Sequence, residues 1–523
     1  MYKVGVIADI HGNIEALEAV LSYMEEAGCD EYLLLGDYIS DAASPRETMD
    51  RLYKLMDAYP CTALRGNREE YMLSQKRVRE GREIGPVWIP GSGSGSLLYT
   101  YERLNQRDFA FFDSLPITFL YESRVEGLPR IRCCHGSPDN ARHLLQIGAQ
   151  DTCDELERAD ADYLIAAHTH IQGSFSRNGK LYMNTGSLGL AIDAPGYAHA
   201  IILSCNTGDE VKKRWEPEFL EIPYDVNKAI SKMFTTGFYD MAPWFVNNNI
   251  HTLRTGIDVT PILVESAKKL KIEAEGEDNW PDIAEMYYEK AAGELGMPNY
   301  AEVVVTADAA EARSRAQKKL PVIGVCIAGN YSDFDGVSYV TDDMDVSDDY
   351  KRLVLARCYS FPYTIAETPR TIIRETVPED LDEFIPIYED EYVRQFVEPL
   401  YSYDEEKAYL EDYRKNVYSF FEYGMWSVLD KKSGKIIGRA GLEPKGEYAE
   451  LGYVLDSDYR GRGIAYEVCS AIMDYARREL AGLEISARVD KENYRSLKLL
   501  NKLNETLEAD RKIRVEYTQK KES

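Results

Sequence analysis

The chain is short of positive charge. Its 523 residues carry 61 Lys and Arg against 89 Asp and Glu, a formal net charge of -28. Such a surface repels polyanions, which argues against broad nucleic-acid or anionic-membrane binding. A single phosphate can still be read through a metal or a helix N-terminus. Long apolar runs are lacking too: none approaches the ~18 residues of a membrane span. The first residues enter a strand-like run directly, without the charged start and apolar stretch of a signal peptide. The nine cysteines are an odd number and form no C-x-x-C pair. That fits reduced core thiols in a reducing compartment. The expectation is a cytoplasmic protein with no membrane partner.

What is present suffices for several cores. Hydrophobic residues make up 44%, and the length suggests about two to four domains. Val4-Gly5-Val6-Ile7-Ala8 ends in Asp9, then His11, Gly12 and Asn13. Asp9 and His11 share one face of an extended segment. Four later stretches repeat the pattern. Tyr32–Leu35 leads to Gly36-Asp37, and Cys61–Arg65 leads to Gly66-Asn67-Arg68. Ile131–Cys134 runs into His135-Gly136, and Tyr163–Ala167 into His168-Thr169-His170. Strand ends are where layered α/β proteins build sites. The collected set is Asp9, His11, Asp37, Asn67, His135, His168 and His170, with four of the chain's seven histidines. Oxygen and imidazole donors without thiolate suit Mn, Fe, Zn, Co or Ni better than Ca or Mg. The set is too large for one metal and matches two metals sharing a bridging carboxylate.

The order D-x-H-G-N, G-D, G-N, H-G, H-T-H resembles the calcineurin-like metallophosphoesterases, in particular their small bacterial phosphodiesterase branch. The resemblance spans roughly the first 200 residues. It implies a four-layer β-sandwich flanked by helices, and hydrolysis of a phosphoester substrate. Asp9, His11 and His170 would hold one metal, and Asn67, His135 and His168 the other. Asp37 would bridge them, and water activated there would attack phosphorus in line. Asp37, Asn67, Arg68 and His135 are the candidate catalytic residues. Arg68 stands where many relatives carry a proton-donating histidine. Arginine neutralises phosphate charge but donates no proton at neutral pH. His143 and His199 read as structural, and Asn184-Thr185-Gly186-Ser187 as a supporting turn. Gly91–Ser96, alternating Gly and Ser, reads as a flexible surface loop.

The expected domains are 1–222, a helical connector at 223–297, a small unit at 298–367, and 368–523. The connector has Trp244 and Trp280 as anchors and a charged loop from Lys271 to Asp278. Strand, helix, strand from Val303 to Cys326 implies a small parallel, half-Rossmann-like sheet. It weakly resembles the later half of haloacid-dehalogenase-type domains, with Asp308 near their late acidic motif. The nucleophile motif D-x-D-x-T is absent from the chain, so a structural or docking module is expected.

After Pro369 comes a second motif. Ala449–Leu455 is strand-like, and Arg460-Gly461-Arg462-Gly463-Ile464-Ala465 opens a long helix. Strand, glycine-rich turn and helix N-terminus present backbone N–H groups to an anion. With Glu450-Leu451-Gly452-Tyr453 and Asn493-Tyr494-Arg495-Ser496, residues 369 to about 510 resemble GNAT-family N-acetyltransferases of the ribosomal-protein type. The resemblance implies an α+β fold with acetyl-CoA as acyl donor and an amine acceptor, either a protein N-terminus or a small molecule. Arg460 through Ala465 would cradle the pyrophosphate, the strand at Val454 the pantetheine, and Asn493 the region of the thioester. Glu450 is the candidate base. Leu500 stands where many relatives carry a tyrosine acid, and Asn504-Glu505 replaces their Gly-Phe. The source of the thiolate's proton and the acceptor pocket are thus left open. The whole is read as an α/β multidomain fusion of two enzymes, or as a phosphoesterase whose second domain senses acyl-CoA.

Overall fold

Strand Tyr2–Ile7 sits at the centre of its sheet and reads as a buried run because both faces are covered. The structure, a computed structural model, describes residues 1–205, 213–276, 283–327, 329–480, 482–507 and 512–518. Trp280 and Asp278 lie outside them. Two compact units emerge: residues 1–346 with 358–361, and residues 347–357 with 362–523.

In the first unit, one sheet runs Glu216–Pro223, Tyr197–Cys205, Tyr2–Ile7, Glu31–Leu34, Cys61–Ala63. A second runs Thr118–Tyr121, Ile131–Cys134, Tyr163–Ala166, Lys180–Thr185, Gln172–Arg177. Val4, Val6 and Leu33 from the first face Ile131, Cys133, Ile165 and Met183 from the second in one buried cluster. Helix Ile14–Glu26 covers the outer face of the first sheet through Leu17, Val20, Leu21 and Met24. Helix Gln150–Arg158 covers the second through Leu156. This is the expected four-layer sandwich. Tyr2–Ile7, Glu31–Leu34 and Cys61–Ala63 are mutually parallel, as are Ile131–Cys134, Tyr163–Ala166 and Lys180–Thr185. The strands that lead to the candidate ligands therefore release them at their C-terminal ends. Gly36 allows two of these ends to approach closely: it has φ +86°, and a Cβ there would lie 2.4 Å from the Gly66 nitrogen.

Helices Val226–Thr235, Pro243–Thr255, Thr260–Glu275 and Glu285–Glu294 follow. Lys271 is in the third of these, so the expected charged loop does not begin there. The Gly91–Ser96 segment is also not the expected loop. Ser92 and Ser94 are buried, and Gly91 N and Gly93 N donate to Met241 O and Ile283 O. Met241, ending a short helix, and Ile283, just before helix Glu285–Glu294, supply acceptors that sequence pattern does not reveal. Trp244 Nε1 donates to Ser92 O at 3.1 Å.

Against this contact lies Glu285, whose N–H donates to Gly91 O. Its carboxylate is buried close to the Trp244 backbone. Burial pushes its pKa up to about 8, helped by Glu289 and opposed by the Trp244 backbone. Between 4.5, the ordinary value, and about 8, the native chain holds a proton that the unfolded chain releases. Stability therefore falls as pH rises through that window. Glu285→Gln should flatten this part of the slope. Melting temperatures of both proteins across the window check it; parallel curves would refute it.

The small sheet is parallel as expected: Val304–Thr306, Val322–Val325, Val340–Thr341. Asp308 caps helix Ala309–Gln317, its side chain accepting from Ala310 N and Glu311 N. Asp343 lies on an exposed turn, accepting from Asp345 N.

The second unit is one mixed sheet, in chain order from Thr364–Glu367 to Arg514–Thr518. Its pairs are antiparallel until Tyr448–Leu455, which pairs parallel with Glu484–Asp490. That pairing joins only Tyr448, Ala449 and Glu450 to Glu484, Ile485 and Ser486. Beyond it the two strands part. Helix Ile464–Glu479 covers one face through Val468, Cys469 and Ile472.

Candidate functional site

The sequence-derived ligands converge in two groups. Asp9, His11 and His170 form one and Asp37, His135 and His168 the other, with ligand atoms within 4.8 Å of one another in each. His11 Nε2 lies 3.0 Å from His170 Nε2 and 3.6 Å from Asp9 Oδ1. His135 Nε2 lies 3.3 Å from Asp37 Oδ2 and 3.1 Å from Asn67 Oδ1. Asp37 Oδ2 is also 4.0 Å from His11 Nε2, so this carboxylate faces both groups. Asp9, His11, Asp37 and His135 are almost wholly buried.

The backbone is strained to achieve this. Asp9, His11, Asp37, His168 and His170 all have φ between +51° and +66°, a left-handed region that non-glycine residues seldom adopt. Backbone bonds hold the turns: Asp9 N to Gly36 O at 3.1 Å, His11 N to Asp37 O at 3.0 Å. The outward-facing ring nitrogens are anchored too. His135 Nδ1 meets Leu35 O at 2.8 Å and His170 Nδ1 meets Leu190 O at 3.1 Å, leaving each Nε2 directed into the site. The expected supporting turn is in place: Ser187 Oγ donates to Asp9 O and Asn184 Nδ2 to Ala167 O. His143 pairs with Asp151 near the surface, away from both groups.

The electrostatics favour cations. Burial alone would lower the His11 pKa, but Asp41, Asp9 and Asp37 hold it at about 10. His135 is held at about 9 by Asp37 and Asp9 against the same burial. Burial and His135 push His168 down to about 4. Burial would raise Asp9 and Asp37, yet neighbouring imidazoles hold both far below the usual carboxylate range. Asp9 Oδ1 is buried without a hydrogen-bond partner among the described residues. An orphaned carboxylate oxygen among imidazole nitrogens is the donor set a divalent transition metal takes.

Two residues here escape the strand-end pattern. Asp41, buried with φ +68°, sits 3.1 Å from His11 Nδ1 and 2.6 Å from Arg68 Nη2. Glu69 accepts from Asp37 N, Tyr38 N and Gly66 N at 2.8 to 2.9 Å, fixing the turns that carry Asp37 and Asn67. Glu69 is legible as the acid three residues after a helix cap; Asp41 follows no strand and has no such signal.

In the second unit, Gly461 and Gly463 have φ +72° and +78°, and Gly463 caps helix Ile464–Glu479. The first-turn N–H groups of Ile464 and Ala465 have no carbonyl within the helix to meet. Arg462 is exposed. Arg370, which the sequence reading passes over, reaches this turn: its Nη1 donates to Arg462 O. Arg460 is turned inward, with Nη1 2.9 Å from Asp390 Oδ1 and Nε donating to Leu455 O. Val454 lies on the strand beyond the point of parting, and Asn493 caps helix Tyr494–Thr506. Glu450 is ion-paired to Arg488 at 3.2 Å. Leu500 is buried in the core.

Residues 2–208 match the family model of the calcineurin-like phosphoesterase superfamily domain, and residues 370–504 that of the acetyltransferase (GNAT) domain. An uncharacterized protein of Methanocaldococcus jannaschii is 24% identical over 245 residues, 44% of this chain and 91% of that one. An uncharacterized N-acetyltransferase, p20, of Bacillus licheniformis is 34% identical over 82 residues, 15% of this chain; the match spans 46% of the relative's length. Among solved structures, a metallophosphoesterase from Sphaerobacter thermophilus superposes with a TM-score of 0.37 at 20% identity, covering 49% of this chain and 99% of that one. A putative ribosomal-protein-serine acetyltransferase from Vibrio cholerae gives a TM-score of 0.25 at 19% identity, covering 27% and 82%.

Proposed function

We propose that this chain, which joins a calcineurin-like phosphoesterase region to a GNAT acetyltransferase region, hydrolyses a phosphoester at a dinuclear metal centre and transfers acetyl from acetyl-CoA to an amine. The meeting of the two ligand groups around Asp37 carries the first half. Asp9, His11 and His170 would hold one divalent transition metal and Asn67, His135 and His168 the other, with Asp37 shared. The metals would supply Lewis-acid charge and an activated water for displacement at phosphorus. The rest falls to the protein. Leu35 O and Leu190 O orient two imidazoles. Arg68, held by Asp41, places a fixed cation at the mouth of the site, where it can neutralise a phosphate oxygen. No side chain here matches the family's proton-donating histidine, which favours esters with good leaving groups.

The acyl-donor half rests on the parted strands and the glycine turn. The Ile464 helix N-terminus and Arg370 would meet the pyrophosphate, and backbone groups of Leu451–Leu455 would meet the pantetheine. One observation favours the sensor alternative: Arg488 already pairs with Glu450, the candidate base.

The test is hydrolysis of bis-p-nitrophenyl phosphate beside p-nitrophenyl phosphate with Mn²⁺, and calorimetric titration with acetyl-CoA. Metal-dependent cleavage, lost on chelation, with faster diester turnover supports a phosphodiesterase. Metal binding without cleavage of either ester would overturn that half. Absence of acetyl-CoA binding would overturn the other.

A further inference from the structure

The acetyl-transfer reading leaves one chemical duty unassigned, the protonation of the departing thiolate, because Leu500 is buried and apolar. A different residue reaches the opening between the parted strands. Tyr392 lies in the short helix Glu391–Phe396. Its hydroxyl donates to Asn493 Oδ1 at 2.9 Å, and Asn493 caps the helix that follows strand Glu484–Asp490. On the other side the Arg460 guanidinium lies 5.5 Å from the Tyr392 ring centre and also bonds Leu455 O, the end of strand Tyr448–Leu455. Val393, next in sequence, packs with Val454. Tyr392 therefore spans the two strands on the side where their pairing has ceased. A second guanidinium, Arg495, lies 4.8 Å from the same ring.

We propose that Tyr392 is the proton donor to the sulfur of coenzyme A, an inference that rests on the acetyl-transfer reading above. The acceptor nitrogen bonds to the carbonyl carbon and the C–S bond breaks, its electron pair passing to sulfur. Sulfur takes the Tyr392 hydroxyl proton. The acylated nitrogen releases its surplus proton to water, and the phenolate regains one from water. The products are the N-acetyl amine and free thiol. With the donor in place, the hydroxyl exchanges Asn493 for sulfur, and Asn493 is freed for the pantetheine amide.

The test uses the full chain and coenzyme A itself, so no acceptor need be known. The pKa of the bound thiol is read from thiolate ultraviolet absorbance. A hydroxyl that donates to the thiolate lowers that pKa, and Tyr392→Phe should raise it by about one unit or more. Coenzyme A affinity should change less than about threefold, since the nucleotide contacts remain. Tyr363→Phe is the control: its hydroxyl is committed to Asp349 O at 3.3 Å, and its loss should leave the thiol unmoved. A thiol pKa unchanged in Tyr392→Phe, or shifted only by Tyr363→Phe, overturns the proposal while leaving acetyl-CoA binding intact. A native chain that binds no coenzyme A overturns the acetyl-transfer reading as well.

Discussion

Asp37→Asn is expected to reduce phosphoester hydrolysis by roughly a thousandfold or more, while the chain stays folded. The substitution keeps the shape of a side chain that is 1% exposed and removes its charge. Asp37 Oδ2 is the oxygen that faces both His135 and His11. In the proposed centre, removing a shared anionic ligand would weaken both cations' hold on the transition state, where metal charge would supply several kcal/mol. Each ~1.4 kcal/mol is tenfold in rate. Metal content by elemental analysis should fall with the rate. Asp41→Asn makes a useful contrast. Asp41 touches His11 Nδ1 and Arg68 Nη2 but not the side that faces the ligand groups. Losses of this kind cost about 10–100-fold in activity or affinity. If Asp37→Asn hydrolyses bis-p-nitrophenyl phosphate as fast as Asp41→Asn does, the bridging role is wrong.

The candidate ligands were legible because chemistry imposes spacing. Each lies within four residues of the end of a strand, and parallel strands must end on the same side. Asp9, His11, Asp37, Asn67, His135, His168 and His170 could therefore be collected without knowing which strand neighbours which. Asp41 was not legible. It follows a left-handed Ser40 in an irregular loop, and its partners lie 27 and 30 residues away, Arg68 and His11. Gly91–Ser96 failed for a related reason. Its composition reads as a linker, but composition is blind to the acceptors at Met241 and Ile283 that bury it. The turn Arg460–Ala465 was legible through its glycines, whose positive φ the structure shows. The inward turn of Arg460 was not, because Asp390 lies in a segment with no motif of its own.

Glu375→Ala is expected to destabilise the second unit by roughly 3–5 kcal/mol, the cost of removing one member of a buried ion pair. Glu375 is wholly buried at the end of strand Thr371–Glu375, and its two oxygens receive both terminal nitrogens of Arg357. It also accepts from Tyr363 N at 3.2 Å. The pair explains why residues 347–357, which precede Pro369, belong to this unit: helix Asp348–Cys358 is held by a fork of charge-assisted bonds. Glu375→Gln retains an acceptor and should cost less. Replacing both residues by apolar ones of similar volume should recover much of the loss, because the desolvation cost of the pair disappears with it. Hydrogen–deuterium exchange of peptides from strand Met425–Asp430, followed across urea concentrations, reads this unit directly, since Trp426 is buried in its core. A midpoint unchanged in Glu375→Ala would mean that the fork contributes nothing and that apolar packing alone holds the helix. A double variant as unstable as the single one would show instead that the pair is net stabilising, against the usual balance for buried ions.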